Sequence, residues 1–101
     1  MYVVVFRAQI NQLDPQYDEM AARLRDMALT EFGCTEFFAV ADHQKEIALS
    51  YWPDTDAITR WRQAALHLEA QSAGRERWYS AYQVDIARIE RSYSQPFSPP
   101  Q

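Results

Sequence analysis

The fold is decided by the stretch Glu46-Ile47-Ala48-Leu49-Ser50-Tyr51-Trp52. Its side chains point alternately to the two sides of the chain, which is the period of a β-strand. Pro53-Asp54 then opens a helix, and a long last strand runs from Trp78 or Tyr79 to Tyr93. This half of the sequence also holds all of the tryptophans, which are Trp52, Trp61 and Trp78. So many large flat side chains in one half of the chain indicate a cavity for a flat ligand.

The first half of the chain predicts a strand, a helix and a hairpin. Residues 2–10 form a β-branched and aromatic run, with Val4, Phe6, Ala8 and Ile10 on one face. Asp14-Pro15 opens a helix that Phe32-Gly33 ends. Two strands follow, at residues 34–41 and 45–52, around a polar turn at residues 42–44.

The last strand contains an irregularity in its pattern. Its apolar residues fall on even positions from Tyr82 up to Ile86 and on odd positions from Ala87 onward. This shift predicts a β-bulge at that point, or a strand that is buried on both faces.

The order β-α-β-β-α-β predicts an α+β, ferredoxin-like domain over residues 1–93, followed by a proline-rich tail at residues 94–101. In this plan both helices cover one face of a four-stranded antiparallel sheet. The first, third and last strands nevertheless carry apolar residues at both odd and even positions, and so on both faces of the sheet. We therefore expect a homodimer in which the two uncovered sheet faces pack together.

Composition narrows the possible functions. A chain of 101 residues with 48% hydrophobic residues predicts one compact domain. The net charge of −4 argues against binding to nucleic acids or to anionic membranes. The single Cys34 cannot form an internal disulfide, and no signal peptide or membrane-length apolar run is evident, so we expect a soluble cytoplasmic protein.

The sequence also lacks the usual cofactor motifs. With two glycines in all, it has no glycine-rich phosphate loop, and its histidines and cysteine show no metal-ligand spacing. Oxidation chemistry would therefore use no cofactor, or a ligand that is its own source of electrons.

Two residues of the second helix are candidates for chemistry. Trp61 is either a core residue or a cavity wall, and the small neighbours Ala57, Ala64 and Ala65 favour the wall because they leave space. His67 lies on the flank of the apolar stripe. It is either a boundary residue that hydrogen-bonds a backbone carbonyl or a partner side chain, or it is functional, as a proton shuttle or as a metal or haem-iron ligand.

Other polar residues have a structural and a functional interpretation. Arg75, beside Trp78 and Tyr79, either belongs to a set of paired surface charges or holds an anionic group of a ligand. Cys34 fits a packed side chain better than a nucleophile, and His43, in the hairpin turn, fits a solvated residue.

Over residues 1–93, and most densely over residues 46–93, the chain resembles the antibiotic biosynthesis monooxygenase superfamily. The matching segments are Ile47-Ala48-Leu49-Ser50-Tyr51-Trp52, Ala57-Ile58-Thr59-Arg60-Trp61, Gly74-Arg75-Glu76, Trp78-Tyr79 and Arg88-Ile89-Glu90-Arg91-Ser92-Tyr93. The resemblance implies a homodimeric α+β barrel with a cavity between each sheet and its helices. Some members oxidise polycyclic phenols to quinones with molecular oxygen and no prosthetic group.

Other members of that superfamily bind and degrade haem. They use an asparagine on the first strand, a tryptophan on the second helix and a proximal histidine. Trp61 corresponds to that tryptophan, whereas Arg7 stands at the asparagine position and Asn11 is the nearest asparagine. His67 follows Trp61 by six residues, a shorter spacing than in the haem degraders.

Three functional hypotheses follow. The first is a cofactor-independent monooxygenase acting on a flat aromatic or quinone-like molecule, with His67 and Trp61 as catalytic residues. Its substrate would contact Tyr51, Trp52, Arg75 and Trp78. The second is a haem-binding monooxygenase with His67 as axial ligand, and the third is a non-catalytic dimeric module that binds a small aromatic ligand.

Overall fold

The computed structural model describes residues 1–11, 15–72 and 78–96. Its elements, in chain order, are β1 (Tyr2–Ile10), α1 (Pro15–Glu31), β2 (Glu36–Asp42), β3 (Lys45–Trp52), α2 (Thr55–Ser72) and β4 (Tyr79–Arg88). The strands form one antiparallel sheet in the order β2-β3-β1-β4. This arrangement confirms the predicted ferredoxin-like α+β fold.

Local signals set the ends of the helices. Gly33 has a φ of 84°, a left-handed conformation that glycine adopts without strain, and it follows the end of α1. The backbone N–H of Cys34 then donates to the carbonyl of Ala28 at 3.0 Å. At the start of α2, the Asp54 carboxylate accepts a hydrogen bond from the backbone N–H of Ala57 at 2.8 Å, which is an N-terminal cap.

Two strands differ from the sequence prediction in length. β2 begins at Glu36 and not at Cys34, because the chain is still leaving α1 there. β4 ends at Arg88 and not at Tyr93, although the backbone N–H of Ile89 still donates to the carbonyl of Met1 at 3.0 Å.

The predicted bulge near Ile86 and Ala87 was wrong. The pairing of β1 with β4 is unbroken from Arg88 back to Ala81. The register shifts instead between Gln9 and Ile10, where Ser80 is the extra residue. The Ser80 hydroxyl donates to the carbonyl of Gln9 at 3.3 Å and so satisfies an acceptor at the irregularity.

The two faces of the sheet differ in burial. On the helix-facing side, Val4, Ala8 and Ile10 of β1 are buried, together with Ser50 and Trp52 of β3. The opposite side, called here the outer sheet face, carries exposed apolar side chains. Phe38 and Val40 of β2 are 56% and 59% exposed there, and Ile47 of β3 is 44% exposed.

The core has two parts on the helix-facing side. The larger cluster contains Val4, Ala28, Cys34, Trp52, Ala57 and Ile58, and the smaller one contains Ile10, Tyr17 and Trp78. Among the described residues, no helix is long and apolar enough to cross a membrane.

Candidate active site

A cavity of about 560 Å³ lies between the sheet and the two helices. Every strand contributes side chains to it from the helix-facing side of the sheet. From the strands it is lined by Val4, Phe6, Ile10, Phe37, Ala39, Ala41, Glu46, Ala48, Ser50, Tyr79, Tyr82 and Val84. A volume of this order, closed mainly by apolar and aromatic surface, is typical of a small-molecule site.

Small side chains leave the space empty. Ala39 of β2 and Ala48 of β3 are paired and both line the cavity, so this part of the sheet presents little side-chain volume. On the helices, Ala21, Ala22 and Ala65 line the same space. The alanines of α2 were expected to leave room, and of these Ala65 does so, whereas Ala57 is packed in the core.

Trp61 is both a cavity wall and a structural link. Its indole N–H donates to the carbonyl of Leu24 at 3.0 Å and so connects α2 to α1. Its ring lies 5.3 Å from that of Trp52 and 6.2 Å from that of Phe37, measured between centroids. Because the N–H already has an acceptor, Trp61 offers a ligand the face or edge of its ring.

One end of the cavity holds a cluster of phenols and a carboxylate, called here the Tyr17–Glu46–Tyr79 cluster. The Tyr17 hydroxyl donates a hydrogen bond to the Glu46 carboxylate. The Tyr17 and Tyr79 rings meet edge to face, with centroids 6.0 Å apart. These side chains converge because the start of α1, the start of β3 and the start of β4 meet at one end of the sheet.

Burial changes the acidity of all three groups. It raises the pKa of the Glu46 carboxyl, and the nearby charge of Asp18 raises it further, against the opposing effect of the hydrogen bond from Tyr17. Burial, followed by the hydrogen bond to Glu46, raises the pKa of Tyr17 well above that of an ordinary tyrosine. Burial, followed by the charge of Glu69, also raises the pKa of Tyr79. Both phenols therefore remain proton donors at neutral pH.

The arrangement makes Glu46 a candidate general base. A carboxylate whose pKa is raised holds a proton more strongly than an ordinary glutamate, and bases of this kind suit proton abstraction near neutral pH. Tyr17 occupies one carboxylate oxygen, Oε2. Within the described part of the chain, the other oxygen accepts no hydrogen bond, so it remains open to a ligand.

The structure brings together only some of the residues that the sequence singled out. Trp61 lines the cavity. Trp52 and Trp78 are buried behind the lining, where Trp52 supports Trp61 and Trp78 packs edge to face on Tyr17 at 5.6 Å. Tyr51 belongs to the outer sheet face, since it pairs with Val3 and alternates with Ser50 and Trp52.

The structure describes His67 but not Arg75, so it bears on only one of these two candidates. His67 is exposed on α2 and is not among the residues that line the cavity. The hypothesis that it points into the cavity beneath Trp61 therefore receives no support from the geometry. Arg75 and Gly74 lie outside the described residues.

Two other residues agree with their structural interpretations, and Arg7 lies away from the cavity. Cys34 is buried, its thiol donates to the carbonyl of Glu36 at 3.2 Å, and burial raises its pKa, which disfavours a nucleophile. His43 is exposed in the hairpin turn. Arg7 lies on the outer sheet face, 3.9 Å from the Asp85 carboxylate, so it does not reach the cavity.

Sequence reasoning missed Tyr17, Glu46 and Tyr79. One signal was available, because Glu46 shares strand parity with Ala48 and Ser50, and a carboxylate on a helix-facing position is unusual. The position of Tyr17 near the start of α1 gives no such signal. Its contact with Glu46 joins residues 29 positions apart, and no local pattern encodes such a contact.

The fold is shared with proteins of known structure. It superposes on SnoaB, a cofactor-independent oxygenase from Streptomyces nogalater, with a TM-score of 0.74 and 14% identity over 93% of this chain and 97% of that one. It also superposes on an antibiotic biosynthesis monooxygenase with a TM-score of 0.62 and 14% identity, over 90% of this chain and 100% of the other. The chain thus shares the fold of these two proteins.

Sequence similarity identifies a closer family. No family model matches the chain. It is 33% identical over 91 residues to YqjZ, an uncharacterised protein of Bacillus subtilis strain 168, and the match covers 89% of this chain and 80% of that protein. The chain therefore belongs to the YqjZ family.

A third structure raises the question of a porphyrin. A mutant of MhuD, crystallised with two manganese protoporphyrin IX molecules per active site, superposes with a TM-score of 0.55 and 16% identity over 92% of this chain and 99% of that one. The described lining of the present cavity contains phenols, carboxylates and arginines but no imidazole or thiol. A haem held by His67 therefore does not fit this cavity, because the described side chain lies outside it.

Proposed function

We propose that this protein is a cofactor-independent monooxygenase that oxidises a flat phenolic or anthrone-like aromatic compound with molecular oxygen. The observation that carries the proposal is Glu46, a partly buried carboxylate of raised pKa, held by Tyr17 at one end of an aromatic-lined cavity. SnoaB, which shares the fold, is described as a cofactor-independent oxygenase and supports the same reaction class.

Proton abstraction begins the reaction. Glu46 removes an acidic proton from the substrate, either from a phenol O–H or from the C–H of its keto tautomer, and leaves a delocalised anion. Trp61 and Phe6 bound the space in which the flat ring lies. Exclusion of water by these walls keeps the anion reactive toward oxygen.

The remaining steps need no external reductant. The carbanion transfers one electron to oxygen, and the substrate radical and superoxide combine to form a C–O bond. The peroxide takes back the proton from Glu46. Loss of the second C–H proton then breaks the O–O bond and forms a carbonyl, and one water is released. The substrate CH₂ group thus supplies all four electrons that reduce oxygen, one atom of which ends in the quinone and the other in water.

The test compares oxygen uptake by the parent protein and the Glu46→Gln variant, with anthrone as the probe. Glutamine keeps the size of the side chain and an acceptor for Tyr17 but cannot abstract a proton. We expect the rate to fall about 100-fold or more, the usual contribution of a general base. The parent rate should rise with pH through the raised pKa of Glu46, because only the deprotonated carboxylate is active. Glu31→Gln, an exposed change at the end of α1, should leave the rate unchanged.

Other outcomes would favour the alternative hypotheses. An unchanged rate in Glu46→Gln, with loss of activity in His67→Ala, would reject Glu46 as the base. A haemin titration that shifts the Soret band in the parent but not in His67→Ala would support the haem alternative. Ligand binding without oxygen uptake by any phenol or anthrone probe would support a non-catalytic binding module.

We also infer that two copies of the chain pack through their outer sheet faces. Phe38, Val40 and Ile47 are all more than 40% exposed on this face, which the helices do not cover. Exposed apolar side chains on neighbouring strands of one sheet are typical of a protein interface. A twofold contact would bury the same side chains of both copies.

A further inference from the structure

Two arginines line the cavity on its helical side, Arg25 of α1 and Arg62 of α2. The hydrogen bond from the Trp61 indole to the Leu24 carbonyl, at 3.0 Å, brings these two parts of the helices together. Because Arg25 follows Leu24 and Arg62 follows Trp61, both arginines lie at the same level of the helix pair.

These arginines are poorly neutralised by the protein. The Arg25 guanidinium lies 3.8 Å from the carboxylate of its neighbour Asp26, but the two side chains are 50% and 70% exposed, so this pair is weak. Arg62 is partly buried and has no ion-pair partner within the described part of the chain. Two like charges on one cavity repel each other, and an anion bound between them would remove that repulsion. Guanidinium groups also match the planar geometry of a carboxylate.

The arginines lie away from the acidic end of the cavity. Asp18 and Arg25 are seven residues apart on α1, and Glu69 and Arg62 are seven residues apart on α2, which is about 10 Å along each helix. Both helices run opposite to the strands that precede them, and β1 and β3 are antiparallel, so α1 and α2 are antiparallel as well. Consequently both carboxylates lie at one end of the helix pair and both arginines lie further along it.

We propose that Arg25 and Arg62 form an anion-binding subsite that determines substrate specificity, and that the substrate is a flat aromatic acid. Its carboxylate or other anionic group binds the two arginines, and its ionisable hydroxyl or keto group reaches the Tyr17–Glu46–Tyr79 cluster at the other end. The role of the hydroxyl or keto group rests on the proposed oxygenase function. The binding of the anionic group by the two arginines does not.

Charge determines the orientation of such a ligand. The reverse orientation would place the anionic group beside Asp18, Glu46 and Glu69, where it would be repelled. The distance of about 10 Å between the two charged levels corresponds to a fused-ring aromatic with polar groups at opposite ends. The cavity thus selects for the length and for the polarity of its ligand.

Calorimetric titration with two matched probes tests the subsite. 6-Hydroxy-2-naphthoic acid carries a hydroxyl and a carboxylate at opposite ends, and 2-naphthol is the same phenol without the carboxylate. We expect the parent protein to bind the acid at least tenfold more tightly than 2-naphthol at low salt. In the Arg25→Gln/Arg62→Gln double variant, the Kd of the acid should rise to that of 2-naphthol, with the Kd of 2-naphthol unchanged. Arg60→Gln, an exposed change on the same helix, should retain the preference.

The results separate this proposal from the proposed function. Three outcomes would overturn the subsite. The parent protein could bind both probes equally, it could bind neither probe at millimolar concentration, or the double variant could still prefer the acid. A preference that depends on both arginines, in a protein that consumes no oxygen with any phenol or anthrone probe, would retain the subsite and reject the oxygenase. Melting temperatures show whether each variant is folded. If the double variant does not fold, the single variant Arg62→Gln takes its place. Its Kd for the acid should lie between that of the parent and that of 2-naphthol.

Discussion

At the scale of single residues, Tyr17 and Tyr79 should make the protein sensitive to alkali. The pKa of each phenol is raised in the folded protein, mainly by burial. In the unfolded chain both titrate near pH 10. Above that pH the unfolded state loses protons that the folded state keeps. The free energy of unfolding is therefore unaffected by these groups below about pH 10 and falls as the pH rises further.

This prediction is checked by measuring the free energy of unfolding against pH. Tyr17→Phe should make the loss of stability above about pH 10 shallower, because one of the shifted groups is gone. Tyr93→Phe should follow the parent, since Tyr93 is 86% exposed. Equal slopes for Tyr17→Phe and the parent would show that the Tyr17 hydroxyl titrates normally in the folded protein.

Trp61 should contribute to stability through its hydrogen bond as well as through its ring. Trp61→Phe keeps an aromatic wall but removes the hydrogen bond from the indole to the Leu24 carbonyl. We expect a loss of about 1–2 kcal/mol in the free energy of unfolding, measured by urea denaturation. Trp61→Ala should cost about 3–5 kcal/mol, since the contacts with Trp52 and Phe37 are lost too. A cost below 1 kcal/mol for Trp61→Ala would mean that Trp61 contributes only to the cavity.

At the scale of elements, the cap of α2 can be tested by itself. Asp54→Ala removes the acceptor for the Ala57 N–H and should lower the free energy of unfolding by about 0.5–2 kcal/mol. Asp54→Asn, which keeps a capping oxygen, should cost much less. If the two variants lose equal stability, the effect comes from the charge of Asp54 near the helix N-terminus and not from the hydrogen bond.

The elements also show how far local signals extend. The bounds of β1 and β3 agree with the sequence prediction, because their alternation and their flanking turns are local. The end of β4 and the position of its bulge were wrong, since both depend on which residues of β1 lie opposite. The tertiary structure sets which residues of two strands pair, and the alternation of apolar residues along one strand does not reveal this.

At the scale of the whole molecule, the outer sheet face predicts self-association. Val40→Glu places a charge among the exposed apolar residues of this face and should convert a dimer into a monomer of about 11.8 kDa. Leu29→Glu changes a 40% exposed residue on α1 and should leave the dimer intact. The measurement is sedimentation equilibrium at micromolar concentration, and a monomeric parent protein would contradict the prediction.

The sequence by itself determined the order of the elements, the ferredoxin-like plan, the start of α2 at Asp54, the end of α1 at Gly33 and the apolar character of both sheet faces. These properties follow from alternation, capping residues and turns, which act over a few positions. It also identified Trp61, because helical spacing places that residue on the covered face of α2.

Only the tertiary structure decided which residues share the cavity. Glu46 meets Tyr17 and Tyr79 because three separate elements begin at one end of the sheet. Arg25 and Arg62 line the same cavity, and a hydrogen bond from an indole of α2 to a carbonyl of α1 places them at one level of the helix pair. His67 remained outside, although it belongs to the same helix as Trp61. The raised pKa of Glu46 likewise arises from burial, a property of the assembled fold and not of the segment in which the residue lies.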